Sequence, residues 1–277
     1  MFDCILDGLL DSLKLLPYLF ITFIILEFIE HKINKKTQKT IAKYKNVGPI
    51  IGGIFGGFPQ CGFSAMGANL YTSKVITMGT LIAIFLSTSD EMIPVMLSEN
   101  VNIGLIFKII LFKVIIGIVV GLIVDFIFKS NVNSEGIEEL CNDEHCHCKN
   151  GIFKSSLIHT FKTTLFILIA NILINIAIYF IGTESISNLL NSNNIIVYFL
   201  ASLIGLIPNC AASIVLTEVF VSGLVSIGVT ISGLLTGSGI GILLLFKSNK
   251  NLKENLKILS IIYFVGVFIG FIVDIIL

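Results

Sequence analysis

The chain carries apolar stretches of two lengths, and the difference between them limits the fold more than any other feature. Residues 9 to 30, 75 to 97 and 103 to 128 are each long enough for one bilayer crossing, since a helical span takes about 20 residues. Residues 48 to 58 and 60 to 73 are not, nor are 196 to 207 and 209 to 221. Eleven residues of helix reach only about 16 Å, roughly half of the hydrocarbon core. A soluble domain of 277 residues would need more polar surface than a chain that is 55% hydrophobic and 13% charged can supply. The short stretches must therefore fit within a membrane fold. The expectation is an all-α, multi-pass protein of the cell membrane in which each short pair folds as a re-entrant hairpin.

Shifting the sequence against itself by 149 residues aligns Gly56 with Gly205, Pro59 with Pro208, Cys61 with Cys210, Ser64 with Ser213 and Ser89 with Ser238, without a gap. The register continues through Gly117 with Gly266, Gly121 with Gly270 and Asp125 with Asp274. Matched Pro, Cys, Gly and Asp at one fixed offset mark an internal duplication. The expected organisation is a first membrane repeat over 1–128, a linker over 129–155 and a second membrane repeat over 156–277.

Lysine placement orients the repeats, because cytoplasmic loops are enriched in positive charge. Residues 31 to 47 carry six lysines and their equivalents, 181 to 195, carry none; 98 to 106 carry none and 247 to 257 carry four. The bias inverts between halves. Two inverted-topology repeats are expected, with about three full crossings and one hairpin in each, the linker cytoplasmic and both termini outside.

The hairpin tips carry the chemistry. Pro59 and Pro208 lack an amide donor and break the helix, and each is followed, two residues on, by a cysteine: Pro59-Gln60-Cys61 and Pro208-Asn209-Cys210. Broken backbone at membrane depth is tolerated only where protein or a wet cavity satisfies it. The helix that restarts there points free N–H groups and a positive dipole end into that space. Cysteine in a membrane helix often packs as an inert small residue, but inert packing does not require both copies. As soft ligands the thiols suit arsenite, Zn(II), Cd(II) or Cu(I) better than Mn(II). Gln60, Asn209, Ser64, Ser213, Asn69, Ser89 and Ser238 are the polar groups available to complete such a site.

Within the crossing at 75 to 97, Ser89 is followed by Asp90 and Glu91, adjacent carboxylates that are costly in a bilayer unless they pair, protonate or meet a cation. Glu218, in the second hairpin opposite Asn69 of the first, is a third acid that could carry a proton or cation, or simply reach the hairpin's wet side. The linker gathers Cys141, His145, Cys146, His147 and Cys148 in a spacing that fits no standard zinc module. A loose metal-collecting segment and an incidental cluster in a disordered linker are the two readings. Acidic Asp3, Asp7 and Asp11 stand where a cleaved signal would be basic, so none is expected. All 18 basic residues are lysines and the net charge is zero, which disfavours nucleic acid as a partner. No Walker, HExxH or GxSxG motif occurs, so the chain is not expected to be an enzyme.

The hairpins "GGFPQCGFSAMGANLY" and "GLIPNCAASIVLTEVF", the stretch "STSDEMIPVM", the segment "HTFKTTLFILIANIL" and the His/Cys-rich linker together resemble the ten-segment heavy-metal exporter family, whose members are commonly labelled arsenic efflux proteins or manganese transporters. The resemblance covers nearly the whole chain. It implies a secondary active exporter with a metal or metalloid ion as cargo, the bilayer as surroundings and no resident cofactor. On that reading Cys61 and Cys210 bind the ion, Asp90, Glu91 or Glu218 couple protons, and the linker feeds the site; a homo-oligomer is left open. The competing reading is a transmembrane thiol–disulfide electron carrier cycling Cys61 and Cys210, against which stands the lack of a Cys-x-x-Cys partner domain.

Overall fold

The structure is a computed structural model, and it describes residues 47–58, 61–89, 92–128 and 195–276, with isolated positions between 16 and 24 and between 156 and 172. Among the described residues every regular element is helical. They are α1 (Gly48–Gly56), α2 (Cys61–Thr72), α3 (Met78–Ser87), α4 (Met92–Ser98) and α5 (Ile103–Ile127), then α6 (Ile196–Gly205), α7 (Cys210–Val221), α8 (Ile227–Thr236), α9 (Gly241–Ser248) and α10 (Leu252–Ile276). The starts of α2, α3, α4 and α5 reappear at the 149-residue offset as the starts of α7, α8, α9 and α10. The duplication is therefore one of structure as well as sequence.

Both hairpins form where the short apolar stretches predict them, α1 with α2 and α6 with α7. In the second, Leu206 and Ile207 close α6 with bonds to the Ser202 and Ile204 carbonyls at 3.1 and 3.0 Å, and Asn209 N–H turns back to Ile207 at 2.7 Å. Pro208, with no amide to donate, occupies the turn. The crossing expected over 75–97 is present but divided: α3 stops at Ser87, and α4 resumes at Met92. Its counterpart is divided at the same place, between Thr236 and Gly241. Among the described residues each half thus shows two interrupted helical segments and, in α5 and α10, one continuous 25-residue helix.

α3 and α8 are the central helices. All ten residues of α3 are buried, as are Gly228 to Thr236 of α8. The main core joins Leu81, Phe85 and Leu86 of α3 to Leu235 of α8, Leu244 and Leu245 of α9 and Ile258 and Ile262 of α10, so one core unites both halves. α5 and α10 pack on it through a single stripe each. In α5 the buried positions are Ile106, Ile109, Lys113, Gly117, Gly121 and Val124; in α10 the stripe is Asn255, Ile258, Ile262, Gly266, Gly270 and Val273, the same positions at the same offset. Their opposite faces expose Phe107, Leu111 and Ile115, and Phe264, Phe268 and Ile272, as lipid-facing helices do.

Glycine sets how closely the continuous helices approach the central ones. A Cβ on Gly79 would lie 2.1 Å from the Gly121 carbonyl oxygen, and one on Gly228 would lie 2.3 Å from that of Gly270. Backbone touches backbone in both halves, the small-residue packing typical of membrane helices. Beside each crossing an aspartate caps the central helix: Gly79 N–H donates to Asp125 Oδ1 and Gly228 N–H to Asp274 Oδ1, both at 2.8 Å. The caps Thr77 and Ser226 also donate to these carboxylates.

The halves are interlocked. α2 packs on α9 and α7 packs on α4, the same pairing with the halves exchanged. Where α2 ends, Tyr71 donates to the Glu254 carboxylate at the start of α10. The equivalent positions hold Phe220 and Leu105, both packed in one apolar cluster with Met92 and Met96.

Candidate functional site

Each interruption leaves the last carbonyls of one helix and the first amides of the next without helical partners. Hydroxyls absorb part of this set. Ser87 and Thr88 donate to the Ala83 and Ile84 carbonyls at 2.7 Å each, and Ser89 donates to Ser87 at 3.2 Å. In the second half the Thr236 hydroxyl reaches the Gly233 carbonyl at 2.8 Å and that of Ser202 at 2.9 Å. The hydroxyl pattern in "STS" thus reflects bonding to the preceding turn.

The interruptions converge. A Cβ on Gly241 would lie 2.9 Å from Cβ of Ser64, and one on Gly237 would lie 3.3 Å from the Ser213 hydroxyl oxygen. Ser64 belongs to the first turn of α2 and Ser213 to the first turn of α7, so both hairpins press their turns onto one segment, the link between α8 and α9. Glycine at 241 is what admits Ser64. The remaining interruption is drawn in by Lys113 of α5: its ammonium donates to the Thr88 carbonyl and, at 2.7 Å, to the Leu234 carbonyl of α8.

Of the residues the sequence singles out, Ser64, Ser213, Asn209, Ser89 and Ser238 are buried at or beside these breaks. Ser89 and Ser238, equivalent in the repeat, differ: the Ser89 hydroxyl is bonded to backbone, whereas that of Ser238, fully buried, has no partner among the described residues. Asn69 is buried with its amide nitrogen also unpartnered, and Glu218, its counterpart in α7, is exposed. Both lie eight residues into their helices, about 12 Å from the turn. Cys61 and Cys210 open α2 and α7, but their side chains lie outside the described residues. Pro59, Gln60, Asp90, Glu91 and the linker set Cys141, His145, Cys146, His147 and Cys148 lie outside them altogether. Among the described residues no three His, Cys, Asp or Glu side chains gather as a metal site.

Lys113 is the residue that sequence reasoning passed over. It is 1% exposed in the middle of an apolar helix, and its equivalent in α10 is Ile262. Attention to matched positions selects against it. The signal available was the reverse one: an unmatched charge inside a span otherwise repeated stripe for stripe.

Against known proteins, a family model described as "Putative, 10TM heavy-metal exporter" matches residues 2–183 and 170–277. No curated protein and no solved structure matches the chain. The all-helical fold, the interrupted apolar helices and a family match over essentially the full length agree, and the chain belongs to the ten-transmembrane heavy-metal exporter family.

Proposed function

We propose that the protein is a secondary active transporter that exports a heavy-metal or metalloid ion, arsenite or a divalent cation such as Mn(II), Zn(II) or Cd(II), against an inward flow of protons. The observation that carries this reading is the packing of both hairpin turns, through Ser64 and Ser213, on the α8–α9 link. Cys61 opens α2 and Cys210 opens α7, three residues before these serines, and on this reading the ion binds between them. Cys61 and Cys210 supply thiolates, Gln60, Asn209, Ser64, Ser213, Ser89 and Ser238 supply oxygen and nitrogen donors, and Asn69, two turns further along α2, lines the route to the site. Asp90, Glu91 and Glu218 carry the coupled protons, and the Cys/His linker collects the ion on the cytoplasmic side. Alternating access follows from inverted halves that rock about this point. Inversion is supported by the Tyr71–Glu254 contact, which joins the end of α2 to the start of α10. Lysine distribution assigns both of those ends to the cytoplasmic face.

The test is uptake into inverted membrane vesicles under an imposed proton gradient, with arsenite, Mn(II), Zn(II) and Cd(II) compared for wild type and Cys61→Ser/Cys210→Ser. Gradient-driven uptake of a soft ion, lost in the double variant, is the expected result. Uptake of Mn(II) alone, unchanged in the variant, moves the site to oxygen ligands. No uptake of any of the four ions overturns the exporter reading.

A further inference from the structure

Lys113 has no role in the exporter scheme above, yet among the described residues it is the one Asp, Glu or Lys that is fully buried. It lies ten residues after Ile103 in a 25-residue apolar helix, about 15 Å along the axis. An ammonium buried at that depth is stable only where oxygens replace its water. Two of the oxygens it finds are at the ends of helices. Thr88 immediately follows α3, and Leu234 stands in the last turn of α8, so both carbonyls sit at the negative end of a helix dipole. One helix belongs to each half.

The scaffold does not need the lysine. α10 packs through the same stripe with Ile262 at this position, fully buried in the apolar core. The surroundings also hold polar capacity that the described residues do not use: two residues past the end of α8, Ser238 is fully buried and its hydroxyl has no partner among them. Paired helix C-termini at an interrupted span, with a spare hydroxyl beside them, are the ligand set by which membrane carriers hold a metal cation.

We infer that the Thr88 and Leu234 carbonyls are part of the cargo site, that the cargo is a cation, and that the Lys113 ammonium is a tethered competitor that fills this position when no cargo is bound. The inference rests on the exporter reading and narrows it, because a neutral metalloid has no use for carbonyls that hold an ammonium. A physical need explains the arrangement. An unloaded carrier must return through the membrane, and two helix ends left without a cation would be orphaned in a medium that cannot hydrate them. The ammonium satisfies them during the return; cargo displaces it during export.

The experiment compares wild type with Lys113→Met, Lys113→Gln and Lys113→Arg, purified and reconstituted as full chains. Binding of Mn(II), Zn(II) and Cd(II) is titrated in nanodiscs; ion-for-ion counterflow and net efflux are followed in proteoliposomes. Removal of the competitor is expected to tighten binding of the transported ion by about tenfold or more in K113M and K113Q. The same variants are expected to keep counterflow, in which the carrier is always loaded, and to lose net efflux, which needs the unloaded return. K113R, which keeps a charge, is expected to stay near wild type in affinity. Unchanged or weaker binding in both neutral variants overturns the inference, and so does joint loss of counterflow and net efflux, the mark of a merely structural bolt. Failure of both neutral variants to fold also overturns it. Should wild type move none of these ions, the exporter reading fails on its own, and the affinity comparison still decides whether lysine and metal compete.

Discussion

Single residues here divide into those repeated in both halves and those that are not, and the repeated aspartates belong to the scaffold. Asp125 and Asp274 are repeated, and each caps a central helix through a glycine amide at 2.8 Å. An N-terminal carboxylate that accepts backbone N–H groups is worth about 1 kcal/mol. Asp125→Asn and Asp274→Asn are each expected to lower stability by roughly that amount, read as a lower unfolding temperature in detergent, with ion affinity unchanged. Ser89 and Ser238 are repeated in sequence but not in bonding. Ser238→Ala removes an unpartnered hydroxyl, so it is expected to leave stability unchanged or slightly raised while weakening ion binding several-fold. Ser89→Ala, which removes a hydroxyl already bonded to Ser87, is expected to weaken binding less than Ser238→Ala does. Isothermal titration of both variants with the transported ion checks the contrast. The serine pair was legible as a pair because identity at a fixed offset is visible in a string of letters. Their divergence was not, since it depends on which carbonyl each hydroxyl meets once α3 and α8 have stopped.

The elements were the most readable level. Apolar length separated hairpin arms from crossings, and the Pro-x-Cys turns marked where α2 and α7 begin. The interruption between α3 and α4 was harder to see. Apolar residues continue on both sides of it, from "LIAIFLS" to "MIPVML", so hydropathy alone reads one span. What ends the helix is the run Ser87, Thr88 and Ser89, which turns its hydroxyls back on the preceding turn. Close backbone contact between elements yields a sharper expectation. Gly79→Ala and Gly228→Ala place a Cβ within 2.1 and 2.3 Å of a facing backbone oxygen, in contacts that no side chain can relieve. Each is expected to cost about 1–3 kcal/mol or more, enough to reduce the yield of folded protein. Gly223→Ala is the control: with nothing within 4 Å of its Cβ, it meets only its left-handed backbone, φ +71°, and is expected to cost about 1 kcal/mol. Size-exclusion profiles and melting curves of the three variants make the comparison.

For the whole molecule, the proposed inversion of the halves predicts that equivalent loops face opposite sides of the membrane. Glu99 lies between α4 and α5, and Asn251 lies between α9 and α10; both are exposed. With Cys4, Cys141, Cys146 and Cys148 replaced, Glu99→Cys is expected to react with an impermeant thiol reagent in intact cells, whereas Asn251→Cys is expected to react only after permeabilisation. Labelling of both from one side would remove the inversion. Lysine counts are what the sequence offers at this level, because orientation is set by loop charge, whereas the interlock of α2 with α9 and α7 with α4 was not legible, since it joins segments far apart in the chain. Inversion also bears on the Tyr71–Glu254 contact. An operation that swaps the halves swaps the two membrane faces, so a molecule with identical halves would have inward-open and outward-open conformers of equal energy and equal population. In halves inverted as proposed, the pairing of Tyr71 with Glu254, where the equivalent positions hold Phe220 and Leu105, would lift that degeneracy. A net gain of about 1.4 kcal/mol from one such bond is a tenfold preference for the conformer that keeps it. The resting direction of the carrier would then be written in one hydroxyl, the atom by which tyrosine differs from phenylalanine.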